Sequence, residues 1–197
     1  MNIILNNETL DNFTLINHDY LVDTNFYDNV SGVNEYRLYS YLSTLFSDIV
    51  IMDIGTYNGR SAVALSHNIN NKVISYNIND QINNATHKIY TKSNIEFKVK
   101  NVMHDLSVKF LEKVKIIVID IDHFYTNEIE LINKLQELNY NGLIILDDIH
   151  HPSPKENECM QKLWNCIDAP KIDITKYGHS SGTGLINLSD NIHILSN

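Results

Sequence analysis

The chain has 197 residues and a formal net charge of −9, from 24 acidic against 15 basic side chains. Hydrophobic residues at 43% and charged residues at 20% exclude a disordered polymer and fit one globular domain with a sizeable core. The acidic balance and the lack of a dense Lys/Arg run argue against a nucleic-acid partner, and no apolar stretch nears the roughly 20 residues of a membrane helix.

Residues 1–30 are polar and weakly patterned, with aromatics at Phe13, Tyr20, Phe26 and Tyr27, and an irregular N-terminal cap or lid is expected there. The opening MNIILNNETLDNF lacks the basic region and long apolar run of a secretory signal, so a cytoplasmic protein is expected. From Gly32, the spacing of Val33, Tyr36, Leu38, Tyr41, Leu42 and Leu45 predicts an amphipathic helix. A rhythm follows in which short β-branched runs alternate with helical segments. DIVIMDI gives way to GRSAVALSHNI, then KVISYNI, IEFKVKNV, VKIIVIDID, the helical TNEIELINKLQEL, and GLIILDDI. Such runs, apolar at nearly every position, are strands buried on both faces of a parallel sheet. With right-handed crossovers this is an α/β fold, a Rossmann-like, doubly wound, mostly parallel sheet with helices on both faces. Near the C-terminus, PKIDITKYG and GTGLINLS are strand-like runs joined by GHSSGTG, which predicts an antiparallel strand pair at one edge. No linker or repeat calls for a second domain, so residues 31–197 form the core of a single one. Cys159 and Cys166, six residues apart within a predicted helix, match neither a redox pair nor a zinc knuckle and are read as structural thiols.

Chemistry concentrates at the predicted strand ends. In DIGTYNGRSAVALS, residues 53–66, a tight turn follows the first core strand. A dinucleotide fingerprint would need glycines at positions 55, 57 and 60, but Tyr57 and Arg60 stand at the last two, and no phosphate-cradling G-x-x-x-x-G-K-[ST] run occurs. The turn therefore suits a ligand without a pyrophosphate. Two later strand ends carry paired carboxylates, Asp120 with Asp122 in VIDIDH and Asp147 with Asp148 in LIILDDIHH. Side by side at the carboxyl edge of a parallel sheet, these anions would repel unless a cation lay among them. His123, three residues after Asp120, has the titration range of a general base.

The pattern acidic–apolar–Gly–x–Tyr–x–Gly–x–Ser, met by Asp53, Gly55, Tyr57, Gly59 and Ser61, resembles motif I of class I S-adenosylmethionine-dependent methyltransferases. It is most similar to the cation-dependent small-molecule O-methyltransferases of the catechol and caffeoyl-CoA type and their macrolide- or sugar-directed relatives. The resemblance runs from about residue 34 to 187 and implies cofactor-binding roles for Asp53, Gly55, Thr56, Tyr57, Gly59 and Ser61. It puts Asn77 at the strand end that holds the ribose, where the family usually has Asp or Glu, and Met103 and His104 in the loop that walls the adenine. An amide accepts only on its carbonyl oxygen, so Asn77 would bind ribose more weakly than a carboxylate. The same resemblance implies Asp120, Asp147 and Asp148 as ligands of a divalent cation, Mg2+ by preference, and His123 as the base. The implied reaction is methyl transfer to a hydroxyl of a small molecule such as a sugar, polyketide or phenol. Of the neighbouring residues, His150 is expected to face substrate and His151 solvent, while His179 falls in a hairpin. Two other functions are carried alongside. DID is also the D-x-D signature of metal-dependent glycosyltransferases, and Asn77 would suit a non-catalytic, ligand-binding copy of the fold. Oligomeric state is not legible.

Overall fold

The strands form where β-branched runs can be covered from both sides. The computed structural model describes residues 1–15, 18–21, 24–80 and 88–196. In chain order the elements are β1 (Asn2–Leu5), α1 (Asn7–Asp11), α2 (Asn25–Asp28), α3 (Val30–Thr44), β2 (Val50–Ile54), α4 (Arg60–Leu65) and β3 (Lys72–Asn77). Then follow β4 (Ile95–Val99), α5 (Val108–Leu111), β5 (Val114–Ile119), α6 (Thr126–Glu137), β6 (Leu143–Asp147), α7 (Pro154–Cys166), β7 (Lys171–Asp173), β8 (Thr183–Asn187) and β9 (His193–Ser196).

Among the described residues seven strands make the main sheet, in the order β4-β3-β2-β5-β6-β8-β7. The first five run parallel, and β8 lies antiparallel between β6 and β7. This is the doubly wound sheet the alternating runs predict. Because side chains alternate along a strand, each strand feeds two cores. Ile51, Val73, Ile116, Val118 and Ile145 pack with Leu38, Tyr39 and Leu42 of α3 and with α4. Met52, Ile74, Ile117, Ile119 and Ile144 pack with Leu131, Ile132 and Leu135 of α6 and with Met160 and Leu163 of α7. The chain leaves β2 toward β3 and β4 and returns to β5 on its other side, so the topological switch lies between β2 and β5, where open α/β sheets bind ligands.

Residues 1–30 depart from the irregular cap expected of them. Asn2–Leu5 pairs in parallel with β9 in a separate two-stranded sheet, with Ile3 and Leu5 fully buried. α1 and α2 pack on α3. α3 begins two residues before the predicted helix start, capped by the Asn29 side chain, which accepts the Gly32 N–H at 2.9 Å. The expected edge pair is β7 and β8, connected through a 3₁₀ turn at Thr175–Tyr177 and the loop 178–182. Among the described residues no helix is long and apolar enough to cross a membrane.

Candidate active site

The turn after β2 is shaped by glycine. Gly55 and Gly59 adopt φ of +108° and +82°, and Tyr57 sits between them at +42°. A Cβ on Gly55 would lie 2.6 Å from the Asp120 carbonyl carbon and closer still to its oxygen, so only glycine lets the β2 turn press against the end of β5. Gly55 and Thr56 donate their N–H groups to the Tyr76 carbonyl at 3.0 and 3.2 Å, tying the turn to β3.

Beneath this turn runs a buried polar chain. The Ser75 hydroxyl donates to Asp53 Oδ2 at 2.5 Å and lies 2.5 Å from Thr56 Oγ1, and Ser61 also bonds Asp53. Burial pushes the Asp53 carboxyl up to about 6. Asp53, Thr56 and Ser61 thus brace the turn from below instead of lining the open cleft above it, and Gly59 caps α4. The cleft itself encloses about 920 Å³, and Gly55, Tyr57, Asn77, Met103, His104 and Asp120 are among its lining residues. On the far wall, Asp105 accepts from Lys100 at 2.5 Å, Lys98 at 3.0 Å and the Tyr76 hydroxyl at 2.9 Å. Those bonds, Lys100 first, hold its carboxyl down at about 2 and fix the 101–105 loop against β3. Asn101 Oδ1 accepts the Met103 N–H at 2.9 Å in the same loop.

Asp120, one of the residues lining this cleft, leads into a centre of acids and imidazoles. His123 Nε2 lies 3.2 Å from Asp120 Oδ1 and 3.3 Å from Asp148 Oδ2. Glu128 of α6, itself buried, accepts the His123 N–H at 2.7 Å and holds this residue at a φ of +60°. Burial pulls the His123 pKa down, but Asp120 and Asp148 outweigh it and leave it raised. Asp148, at φ +58°, is shared: His123 and, at 3.7 Å, His151 approach Oδ2, while His179 Nδ1 stands 3.4 Å from Oδ1. His179 Nδ1 is also 3.7 Å from Asp147 Oδ2. Burial first, then Glu35, Asp120 and Asp148, drive the Asp147 carboxyl well above the usual range.

Among the described residues, the potential metal-holding groups whose ligand atoms lie within 4.8 Å of one another are Asp147–Asp148–His179 and His123–Asp148–His151. Asp120 joins neither, standing across His123 from Asp148. The structure therefore unites two of the three expected carboxylate ligands and adds imidazoles to them. The expectations for the adjacent histidines are corrected. His151 turns inward and stacks on His123 at 5.1 Å, because Asp148 draws both rings. His150 turns to the surface, where its Nε2 bonds Asp173 Oδ2 at 2.7 Å. Asp122 is occupied by the Phe124 N–H at 3.3 Å and the Asn127 amide at 2.5 Å, so DID does not present two free carboxylates as a D-x-D metal motif would.

Sequence reasoning missed Glu35. It projects from α3, is 5% exposed, and is pushed up to about 8 by burial first, with Asp120 and Asp148 adding to the shift against His179. A carboxyl on the buried face of a helix contradicts the apolar pattern, and this one faces the acid centre, with His179 and a Tyr39 hydrogen bond favouring its charge.

A doubly wound sheet with a glycine turn at its switch point, an open cleft and an acid centre beside it is the arrangement of the class I S-adenosylmethionine-dependent methyltransferase fold. Residues 52–149 match the family model described as a methyltransferase domain. Solved structures agree in fold. Cofactor-bound Rv0187 from MTB superposes with a TM-score of 0.61 at 15% identity over 83% of each chain. The O-methyltransferase from Bacillus cereus in complex with SAH gives 0.56 at 16% identity over 80% of each. The O-methyltransferase TomG from Streptomyces achromogenes, involved in tomaymycin synthesis and bound to SAM, gives 0.57 at 15% identity over 95% of this chain and 92% of its own. No curated protein matches the sequence.

Proposed function

We propose that the protein transfers the methyl group of S-adenosylmethionine to a hydroxyl of a small molecule, a sugar, polyketide or phenol, with a divalent cation assisting, the whole chain acting as one domain. The observation that carries this is continuity: Asp120 both lines the cleft and touches His123, which in turn touches Asp148. A cofactor in the cleft would therefore offer its methyl group beside the acid–histidine centre.

Several residues would seat the cofactor. Gly55, Tyr57, Asn77, Met103 and His104 line its space, with Asn77 at the ribose, while Asp53, Thr56, Gly59 and Ser61 shape the turn. The cleft leaves room for an adenosine: it encloses about 920 Å³ beside the Gly55 turn, with Asn77, Met103 and His104 on its walls. The acid centre fits a cation, because Asp147 Oδ1 is buried without a hydrogen-bond partner amid like charges. Bound by Asp147 and Asp148, with Asp120 at the edge of the cleft, such an ion would polarise the acceptor hydroxyl and make it more acidic. His123 Nε2, held between Asp120 and Asp148, is the base that takes the hydroxyl proton, and the two carboxylates then stabilise the imidazolium. Similarity to the O-methyltransferases above supports the choice of oxygen as acceptor.

The test pairs binding with turnover. Calorimetry should show saturable one-to-one binding of S-adenosylhomocysteine. Label transfer from S-adenosylmethionine to a panel of hydroxylated acceptors should fall ~100-fold or more in His123→Ala, with cofactor affinity unchanged. No binding at millimolar ligand would overturn the proposal.

A further inference from the structure

We propose that His179 joins Asp147 and Asp148 as a metal ligand through its Nδ1, making a mixed nitrogen–oxygen site that prefers first-row transition ions such as Mn2+, Fe2+ or Co2+ to Mg2+. The inference rests on the cation-assisted function above and changes the identity of the ion.

The geometry gathers ligand atoms around a common centre. His179 Nδ1 is 3.4 Å from Asp148 Oδ1 and 3.7 Å from Asp147 Oδ2. The shorter one is a long hydrogen bond, and both are close to the spacing of neighbouring ligand atoms around one ion. Donors about 2.1 Å from a metal stand ~3.0 Å apart in an octahedron and ~3.4 Å apart in a tetrahedron. A second observation points the same way. The Asp147 side chain is 6% exposed and its Oδ1 has no hydrogen-bond partner. A buried carboxylate oxygen left bare is costly unless something absent from the polypeptide satisfies it.

The donors are also held in advance. Asp147 ends β6 in register with Thr183 of β8. Thr183 Oγ1 accepts the His179 N–H at 2.8 Å, and His150 N–H donates to the Ser181 carbonyl at 2.7 Å, fastening the 178–183 loop to the exit of β6. The Ser181 hydroxyl donates to Asp148 Oδ1 and its Oγ lies 2.5 Å from His179 Nδ1, so an ion held by those two atoms would displace this bridge and the Nδ1 proton. Ion preference follows from donor chemistry. Mg2+ favours an all-oxygen shell with retained waters, whereas imidazole nitrogen suits the later divalent ions.

The test uses the full-length protein stripped by chelator. Mn2+ and Mg2+ are titrated calorimetrically, and the Mn2+ complex is examined by electron spin-echo envelope modulation for coupling to nitrogen. The expected result is roughly tenfold or greater preference for Mn2+, with nitrogen modulation present in the wild type, in His123→Gln and in His151→Gln, but absent in His179→Gln. S-adenosylhomocysteine binding by the same His179→Gln sample certifies its fold. Should that variant fail to fold, modulation retained in a His123→Gln/His151→Gln double variant supports the proposal, and its loss there overturns it. Equal affinity for Mg2+ without nitrogen coupling, or modulation that survives in His179→Gln, also overturns it. Cofactor binding without any metal binding would sink this proposal and leave the methyltransferase assignment standing. Metal binding without cofactor binding would do the reverse.

Discussion

Replacing Gly55 with alanine sets a methyl group against the backbone of Asp120, and the consequence can be worked out. The new Cβ would lie 2.6 Å from the Asp120 carbonyl carbon and 3.5 Å from its Cα. Ordinary carbon–carbon contact begins near ~3.4 Å, so the turn and the end of β5 must part by at least ~0.8 Å. That displacement strains two hydrogen bonds, Asp120 N–H to the Ile54 carbonyl at 2.9 Å and Gly55 N–H to the Tyr76 carbonyl at 3.0 Å. Each is worth about 1 kcal/mol, and a non-glycine residue at φ +108° adds about 1–3 kcal/mol. A loss of about 3–5 kcal/mol is expected, a large part of the stability of an ordinary domain. Urea unfolding should show a lower midpoint at unchanged slope, and calorimetry should show S-adenosylhomocysteine affinity reduced at least ~10-fold. Gly59→Ala is the internal comparison. Its Cβ would meet only the Cδ1 end of Ile89, which can rotate away, so the cost should be confined to the φ of +82°, about 1–2 kcal/mol. A Gly55→Ala protein that loses less than ~1 kcal/mol and keeps its cofactor affinity would refute the close packing of turn on strand as the reason for glycine.

Two further outcomes are expected. The Asp53 carboxyl is raised by burial to about 6 in the folded protein, so the stability it contributes is fully present below the ordinary carboxylate value and is lost as pH rises through 6. The difference amounts to about 3 kcal/mol at its limit, and unfolding free energies measured from pH 4 to 8 should fall less steeply for Asp53→Asn than for the wild type; parallel curves would show that this group does not take up a proton on folding as described. Asn77 lines the cleft where a ribose would lie, and Asn77→Asp exchanges neutral for charge-assisted hydrogen bonds, an expected gain of about 1 kcal/mol or roughly fivefold in S-adenosylhomocysteine affinity by calorimetry. Weaker binding by that variant would move the ribose away from β3.

What could be read in advance was local. VIMDI, VKIIVI and LIILD are apolar at almost every position, so a strand covered on both faces is the only inexpensive home for them, and carboxylates following such runs must lie on one edge of a parallel sheet. The glycine spacing at residues 55–59 is legible for the same reason, since the φ values belong to the turn itself. The rest depends on partners far away in the chain. β1 is four residues long and its partner β9 begins at His193, a pairing that alternation within either segment does not encode. Glu35 stands on α3 between Asn34 and Arg37 as one of several polar residues, and nothing in the sequence marks it as the one that faces the ends of β5 and β6. His179 sits in GHSSGTG, whose small residues suggest a turn; the signal lay in how tightly they let the loop fold, since a Cβ on Gly182 would stand 2.5 Å from the His150 nitrogen. The division has a chemical consequence. The strand-end motifs announce carboxylates, and carboxylates alone imply a hard ion. The imidazole that would alter this preference, if His179 ligates as proposed, comes from a loop returning from the sheet's antiparallel edge, so the ion such a centre would select depends on tertiary closure of the 178–183 loop over β6 and not on the strand-end motifs themselves.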